Sequence, residues 1–221
     1  MSMRLDVGVA GCVDYRRALA WQEALLDRRL RGGADALLLL EHPPVYTLGR
    51  RADRRHLGAA ADGPVPVVET GRGGEVTYHG PGQLVGYPIL GLGDLRPDLH
   101  WYLRTLEAAI VRALADLGVS GAGPVPGRTG VWVDGRRKIC SIGIAVRRWV
   151  TWHGFALNVG PDLSGFVPIT PCGLSGVEMT SVAREGGTAD VATVRAHVLD
   201  RLVTAFGYDG WQPLLEGGRA A

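Results

Sequence analysis

Two side chains in this sequence have the chemistry of a nucleophile and its proton acceptor. Lys138, in GRRKICS, is the only lysine among 24 lysine and arginine residues. Arginine stays protonated, whereas a lysine amine can release its proton near neutral pH when its surroundings favour the neutral form. Cys172 lies between Pro171 and Gly173, in a segment with no helical or strand period, which leaves room for a reactant to approach its sulfur. A cation beside such a thiol increases the nucleophilic thiolate fraction.

The same residue types also allow a purely structural interpretation. Lys138 could be a solvated cation at the end of a strand, and Cys172 a small buried thiol. Histidine more often activates a cysteine than lysine does, and His79 and His153 are available for that role. Cys140 lies inside the apolar run ICSIGIAV, which predicts a core position for its side chain.

The glycine-rich stretch GRGGEVTYHGPGQ, residues 71–83, is a second candidate site. Its glycines could simply make turns. Alternatively, Arg72-Gly73-Gly74 could bring bare N–H groups and a guanidinium to the edge of a cavity, with Tyr78 and His79 facing it. The sequence contains no phosphate-binding loop, no C-x-x-C and no H-E-x-x-H motif, so we expect neither a metal site nor a nucleotide site of those types.

Composition predicts one globular catalytic domain over residues 1–221. Hydrophobic residues make up 46% of the chain and charged residues 21%, and the net charge of +2 is too small to favour nucleic-acid binding. Three cysteines without paired spacing favour a reducing compartment. The longest aliphatic run, residues 36–40, is far shorter than a membrane span, so we expect a cytoplasmic protein. Nothing favours an obligate dimer, and we expect a monomer.

The elements that must hold these residues form an α+β pattern of mixed β-sheets flanked by helices. Helices are predicted after Asp14, after Pro97 and over DVATVRAHVLDRLVTAF, residues 190–206. Strands are predicted at Ala36–Leu40 and in VYTLG, VPVVET, EVTYH, QLVGYPIL, VWVDGRRKICSIGIAV and VTWHGFALNV. Asp134-Gly135 predicts a tight hairpin turn, Arg147-Arg148 a second turn, and residues 50–64 a long loop.

Four segments together resemble the lipoyl(octanoyl) transferases, the lipoate-protein ligase B family. They are RGGEVTYHGPGQLVGYPI, RKICSIGI, TWHGFALNV and ITPCGLSGVEMTS, in that family's order. The resemblance implies the biotin/lipoate protein ligase catalytic-domain fold and no cofactor. It implies transfer of an octanoyl group from octanoyl-acyl carrier protein to a lysine on lipoyl domains of 2-oxoacid dehydrogenase complexes and on glycine cleavage H protein.

The resemblance also assigns roles to residues. It implies that Cys172 carries the acyl thioester and that Lys138 tunes it. The acyl site would be lined by Arg72, Gly73, Gly74, Glu75, Val76, Thr77, Tyr78, His79, Ser141, Ile142, Gly143, Gly154, Phe155 and Ala156.

Three other functions remain open at this stage. An ATP-dependent lipoate or biotin ligase on the same fold would activate a free acid and need no cysteine. A cysteine thioester hydrolase would use His79 or His153 as its base. An acyl-chain binding module would use the apolar strands alone and leave the single lysine unexplained.

Overall fold

The computed structural model describes residues 3–160, 162–173 and 176–214, and at residue 172 only the backbone. These residues form mixed β-sheets flanked by helices, which confirms the predicted α+β class. The helices are Tyr15–Leu30 (α1), Leu92–Leu95 (α2), Leu99–Asp116 (α3) and Val191–Ala205 (α4). The strands are Arg4–Cys12 (β1), Ala36–Glu41 (β2), Val45–Leu48 (β3), Val67–Glu69 (β4), Val76–His79 (β5), Gln83–Ile89 (β6), Ala122–Val125 (β7), Arg128–Val133 (β8), Arg137–Arg147 (β9), Val150–Asn158 (β10), Glu178–Met179 (β11) and Gly210–Pro213 (β12).

The three long helices begin where the sequence predicts, and each start has a side-chain cap. Asp14, Asp98 and Asp190 each accept hydrogen bonds from two backbone N–H groups in the first turn of the helix that follows. An aspartate at this position satisfies donors that have no partner within the helix. α3 ends before Gly118, whose φ of 81° is the left-handed conformation that favours glycine.

A large sheet forms the centre of the molecule. Its strand order is β12-β1-β2-β6-β10-β9-β8-β7, and β11 pairs with β9. The pairs β12–β1, β1–β2 and β11–β9 are parallel, and the other pairs are antiparallel. Neither β1 nor β12 is predicted from the sequence, because β1 pairs in parallel with β12 about 200 residues later, and no local turn marks that pairing.

A second, smaller sheet has the order β4-β3-β5 and contains the VTYH segment of the glycine-rich stretch. The prediction of a loop at residues 50–64 is wrong for most of that range, because Arg54–Asp62 forms short 3₁₀ turns. Leu57 and Ala60 from these turns are buried in a cluster that also contains Phe166 and Ile169. Tertiary burial therefore orders a segment whose composition is typical of loops.

The apolar core lies on both faces of the large sheet. On one face, α3 and α4 pack against residues such as Leu37, Ile139 and Leu157. On the other face, α1 packs against a second cluster that includes Leu38, Val85 and Ala156. None of the described helices is both long and apolar enough to cross a membrane.

Two turns position the strands that carry the candidate site residues. Asp134 and Gly135 have φ angles of 50° and 69° and join β8 to β9, which confirms the predicted hairpin turn. The turn between β9 and β10 lies one residue later than predicted. Arg148 and Trp149 adopt positive φ angles of 49° and 63°, and Arg147 pairs with Val150 across the ladder.

Candidate active site

A cavity of about 360 Å³ lies between the small sheet and strands β6, β9 and β10 of the large sheet. Lys138 lines it, as does every predicted acyl-site residue except Tyr78. Segments far apart in the sequence, 72–79, 138–144 and 153–156, therefore meet around one space. The cavity walls also include His153, which the sequence analysis considered as a base, and other residues that the motifs did not indicate: Tyr15, Val85, Tyr87, Leu103, Arg128 and Trp132.

The glycines of the three segments allow backbone to approach backbone. A β-carbon on Gly143 would lie 2.9 Å from the carbonyl oxygen of Gly73, and one on Gly154 would lie 2.2 Å from that of Gly86. A β-carbon on Gly86 would in turn lie 2.2 Å from the Phe155 ring. Distances below 3.0 Å exclude any side chain, so these positions must be glycine for the walls to close. Glycine at these three positions therefore allows close packing within the protein itself.

Arg72 fixes the shape of the glycine-rich stretch from within the protein. Its side chain is 8% exposed and donates hydrogen bonds to the backbone oxygen of Thr47, at 2.6 Å, and to the backbone oxygen of Gly73, at 3.0 Å. It also donates to the Thr47 hydroxyl. The N–H of Gly73 donates to the carbonyl oxygen of Ile144 at 2.7 Å. These bonds connect the glycine-rich stretch to β3 on one side and to β9 on the other.

Lys138 is a buried residue, not the solvated cation that composition also allowed. It is 3% exposed, and its ammonium nitrogen lies 5.0 Å from the centre of the Trp132 ring, a cation–π contact. Its carbonyl oxygen accepts a hydrogen bond from the N–H of Thr180, which follows β11. Lys138 is therefore held by its two neighbouring strands, with its side chain at the cavity.

Glu107 is a buried charged residue that the sequence analysis missed. It is 1% exposed on α3, and its Oε1 accepts a hydrogen bond of 3.0 Å from the N–H of Gly130. Arg104 Nη1 lies 2.6 Å from the other carboxylate oxygen, in an ion pair without hydrogen-bond geometry. A charged residue among Leu103, Leu106 and Ile110 on the apolar face of a helix was the available signal.

Cys172 is described only by its backbone, so its predicted contact with Lys138 lies outside the described residues. The backbone forms the short 3₁₀ turn Pro171–Gly173. A β-carbon on Gly173 would lie 3.2 Å from Cγ of Glu75, which lines the cavity. The turn that bears Cys172 is thus next to the cavity wall.

Cys140 is buried in the core on β9, as the apolar run predicts. Burial raises the pKa of its thiol, and Glu107 raises it further, although Lys138 acts in the opposite direction. A fully buried thiol with a raised pKa is a poor nucleophile.

Two histidines line the cavity in neutral form. Burial, followed by the neighbouring His42 and Arg72, holds the pKa of His79 well below its usual value, and its Nδ1 bonds Gln83 Oε1 at 2.7 Å. Burial and the charges of Arg72 and Arg50 lower the pKa of His153 to about 3. Neither can supply a positive charge at neutral pH, so neither is suited to hold a thiolate by charge.

Tyr78 lies apart from the other predicted acyl-site residues. Its ring contacts Tyr46 and Phe166, with ring centres 5.4 and 5.5 Å away. Successive side chains of a strand point to opposite faces, so Thr77 and His79 face the cavity while Tyr78 packs under the short turns.

Comparison with known proteins assigns the family. The model of the lipoyl protein ligase A/B catalytic domain matches residues 14–203. The chain belongs to this family. An octanoyltransferase of Mycobacterium tuberculosis is 50% identical over 213 residues, which is 95% of this chain and 90% of the relative. One of Synechococcus elongatus is 49% identical over 203 residues, or 90% and 86% of the two chains, and one of Gloeobacter violaceus is 57% identical over 167 residues, or 75% and 74%.

Solved structures of lipoyl protein ligases share the fold of this family member at much lower identity. A lipoate-protein ligase A bound with ATP has a TM-score of 0.75 and 19% identity, covering 99% of this chain and 91% of its own. A bipartite lipoate protein ligase from Thermoplasma acidophilum has a TM-score of 0.73 and 18% identity, covering 98% and 89%. These similarities confirm the predicted lipoate ligase fold.

Proposed function

We propose that this octanoyltransferase accepts its octanoyl group from an acyl carrier protein, carries it as a thioester on Cys172 and passes it to a lysine of a lipoyl domain. One observation carries the proposal. The only lysine of the chain is buried at the wall of the cavity that the acyl-site segments enclose. A buried amine can exchange protons in a way that none of the 23 arginines can.

The first step is thioester exchange. The Cys172 thiol transfers its proton to the side-chain nitrogen of Lys138, and the thiolate attacks the carbonyl carbon of the donor thioester. A new C–S bond forms to Cys172 while the bond to the carrier's pantetheine sulfur breaks. The leaving sulfur takes the proton from Lys138. The exchange converts one thioester into another and is close to isoenergetic.

The second step forms an amide. The neutral amine of the acceptor lysine attacks the acyl carbon, and a C–N bond replaces the bond to the Cys172 sulfur. Lys138 accepts the proton that the nitrogen loses and returns it to the departing thiolate. Replacing a thioester by an amide is downhill, so the proposed reaction uses no ATP.

Part of the cavity wall offers an apolar surface for the acyl chain. Val85, Ile142 and Phe155 line it, and glycines leave the walls smooth. Each methylene buried there contributes about 0.8 kcal/mol. The octanoyl chain therefore supplies enough binding free energy to hold the donor while the thioester is exchanged.

Arginines beside the cavity suit an acidic carrier protein. Arg51 lines the cavity, and Arg50, Arg54 and Arg55 are exposed on the same segment. Complementary charge speeds the encounter of two proteins and fixes their orientation. Replacing Arg50 and Arg51 by Glu should weaken binding of the carrier, and unchanged affinity would reject this docking surface.

The decisive test is intact-mass analysis after incubation with octanoyl-acyl carrier protein. We expect an octanoyl adduct on the wild-type chain and on a Cys12→Ser variant, which removes an exposed thiol. We expect none on Cys172→Ala, and an adduct there would reject the nucleophile. After a lipoyl domain is added, the octanoyl group should leave the enzyme and appear on that domain. Transfer that requires ATP and free octanoate would indicate a ligase, and release of free octanoate a hydrolase.

A further inference from the structure

His153 is a buried polar side chain at the cavity whose ring nitrogens have no protein partner among the described residues. The residue is 1% exposed, and its ring stacks on Trp152 with the centres 4.1 Å apart. Its N–H donates to Gln22 Oε1 on α1 at 2.9 Å, which fixes the backbone. Buried polar groups nearly always have a hydrogen-bond partner, so an imidazole in this position points to a ligand or a bound water.

The end of the cavity around His153 is polar. Tyr15, Arg72, His79 and Tyr87 line the same space. Besides burial, the charge of Arg72 lowers the pKa of both His79 and His153, so these three side chains lie near one another. Ile142 and Phe155, by contrast, pair across β9 and β10 between Lys138 and His153, and both side chains are apolar. The lining therefore changes from apolar to polar from this pair toward His153.

The strand register measures how far His153 lies from Lys138. His153 pairs with Ile144 on β9, six residues beyond Lys138. Six residues of strand span about 20 Å. An extended octanoyl chain, with seven C–C bonds of about 1.5 Å, is roughly 9 Å long. An octanoyl chain that begins beside Lys138 thus ends within the apolar part, and a longer chain extends toward His153.

We propose that His153 and the polar groups around it set the chain-length limit of the acyl site by holding hydroxyl-bearing ligands, either water or the hydroxyl of an ω-hydroxyacyl chain. This inference rests on the proposed octanoyl transfer and adds its specificity. An apolar chain that reaches this end displaces water and leaves both imidazole nitrogens without hydrogen bonds. Losing such a bond reduces affinity by about 5- to 150-fold. A terminal hydroxyl replaces the water and avoids that loss.

The first test compares substrates on the unchanged protein. Octanoyl, hexadecanoyl and 16-hydroxyhexadecanoyl carriers are offered in equal amounts, and the adducts are counted by mass. A hexadecanoyl chain, with fifteen C–C bonds, is roughly 19 Å long and spans the distance to His153. We expect octanoyl to form the most adduct and 16-hydroxyhexadecanoyl to exceed hexadecanoyl by about tenfold or more. Equal use of the two sixteen-carbon chains would overturn the proposal.

The second test removes the nitrogens but keeps the ring. His153 has a φ of 55°, yet Trp149 adopts 63°, so this chain already holds an aromatic side chain in that conformation. His153→Phe should increase hexadecanoyl use about tenfold relative to octanoyl and abolish the advantage of the hydroxyl. His153→Asn, which keeps polar atoms and tolerates a positive φ, should retain the wild-type order.

The two tests separate failure of this inference from failure of the proposed function. A wild-type chain that forms no adduct with any donor would reject octanoyl transfer, and this inference with it. If the wild type forms octanoyl adducts and the His153→Phe variant shows the same preference among acyl chains as the wild type, only the role of the histidine nitrogens is rejected. If the His153→Phe variant does not fold, the comparison of hydroxylated and plain acyl chains on the wild type still tests the proposal.

Discussion

Gly130 lies directly against the side chain of Lys138. A β-carbon on Gly130 would lie 2.9 Å from Cε and 3.4 Å from Nζ of that lysine, and 2.5 Å from the carbonyl oxygen of Cys140. The φ of Gly130 is 119°, a conformation that other residues rarely adopt. The N–H of the same glycine is held by Glu107. The position of the single lysine therefore depends on a glycine that no sequence motif indicated.

Gly130→Ala should reduce octanoyl transfer by about 10- to 100-fold, because a displacement of roughly 1 Å at a reacting group has that effect. Gly127→Ala is the matched control, since Gly127 also has a positive φ but a β-carbon there meets no atom within 4 Å. Single-turnover transfer assays and circular dichroism of both variants would measure the effect. An equal loss of octanoyl transfer in both variants would show that backbone strain alone causes the loss.

Lys138→Arg should reduce transfer by at least about 100-fold although the positive charge remains. Arginine cannot release a proton to act as a base, and a general base contributes about 10²- to 10⁴-fold. The exposed exchange Arg136→Lys serves as the control and should leave the rate unchanged. Rates of amide formation on a lipoyl domain provide the measurement. Near-normal turnover of Lys138→Arg would show that charge alone suffices.

Glu107→Gln should lower the free energy of unfolding by about 1.5–3 kcal/mol, the range for a hydrogen bond to a charged group. The substitution removes the charge that faces Arg104 and weakens the bond from Gly130. Urea unfolding curves would measure the change. Glu23→Gln, at an exposed site on α1, should have little effect. A stability of Glu107→Gln equal to wild type would contradict a structural role for this ion pair.

Stability should fall as the pH decreases below the ordinary histidine pKa. His153 has a folded-state pKa of about 3, lowered chiefly by burial, whereas the unfolded value is about 6.5. Between these values the unfolded chain binds the extra proton, so the contribution is complete above pH 6.5 and is lost as the pH falls toward 3.

The His153→Phe variant isolates this contribution. Between pH 6 and pH 4, its unfolding free energy should change less steeply than that of the wild type, by up to about 1.4 kcal/mol per pH unit. Unfolding curves at several pH values would give both slopes. Parallel curves would show that His153 is protonated equally in the two states.

Several elements could be predicted because local chemistry alone specifies them. Asp14 and Asp98 cap helices whose apolar residues recur at helical spacing, and Asp134-Gly135 closes a hairpin. Other features could not be predicted locally. β1 pairs with β12, which lies about 200 residues later, and His153 has a positive φ while its N–H donates from β10 to Gln22 on α1.

Residue types and order determined the fold class and the family motifs, and they led us to propose Lys138 and Cys172 as the reactive pair. These properties follow from chemistry that each side chain carries wherever it lies. Tertiary structure decided the rest. It buried Lys138 beside Trp132 and Gly130, placed Glu107 beneath them and left His153 at the polar end of the cavity. These relationships arise only when distant strands pair, because burial and contact are properties of the folded chain.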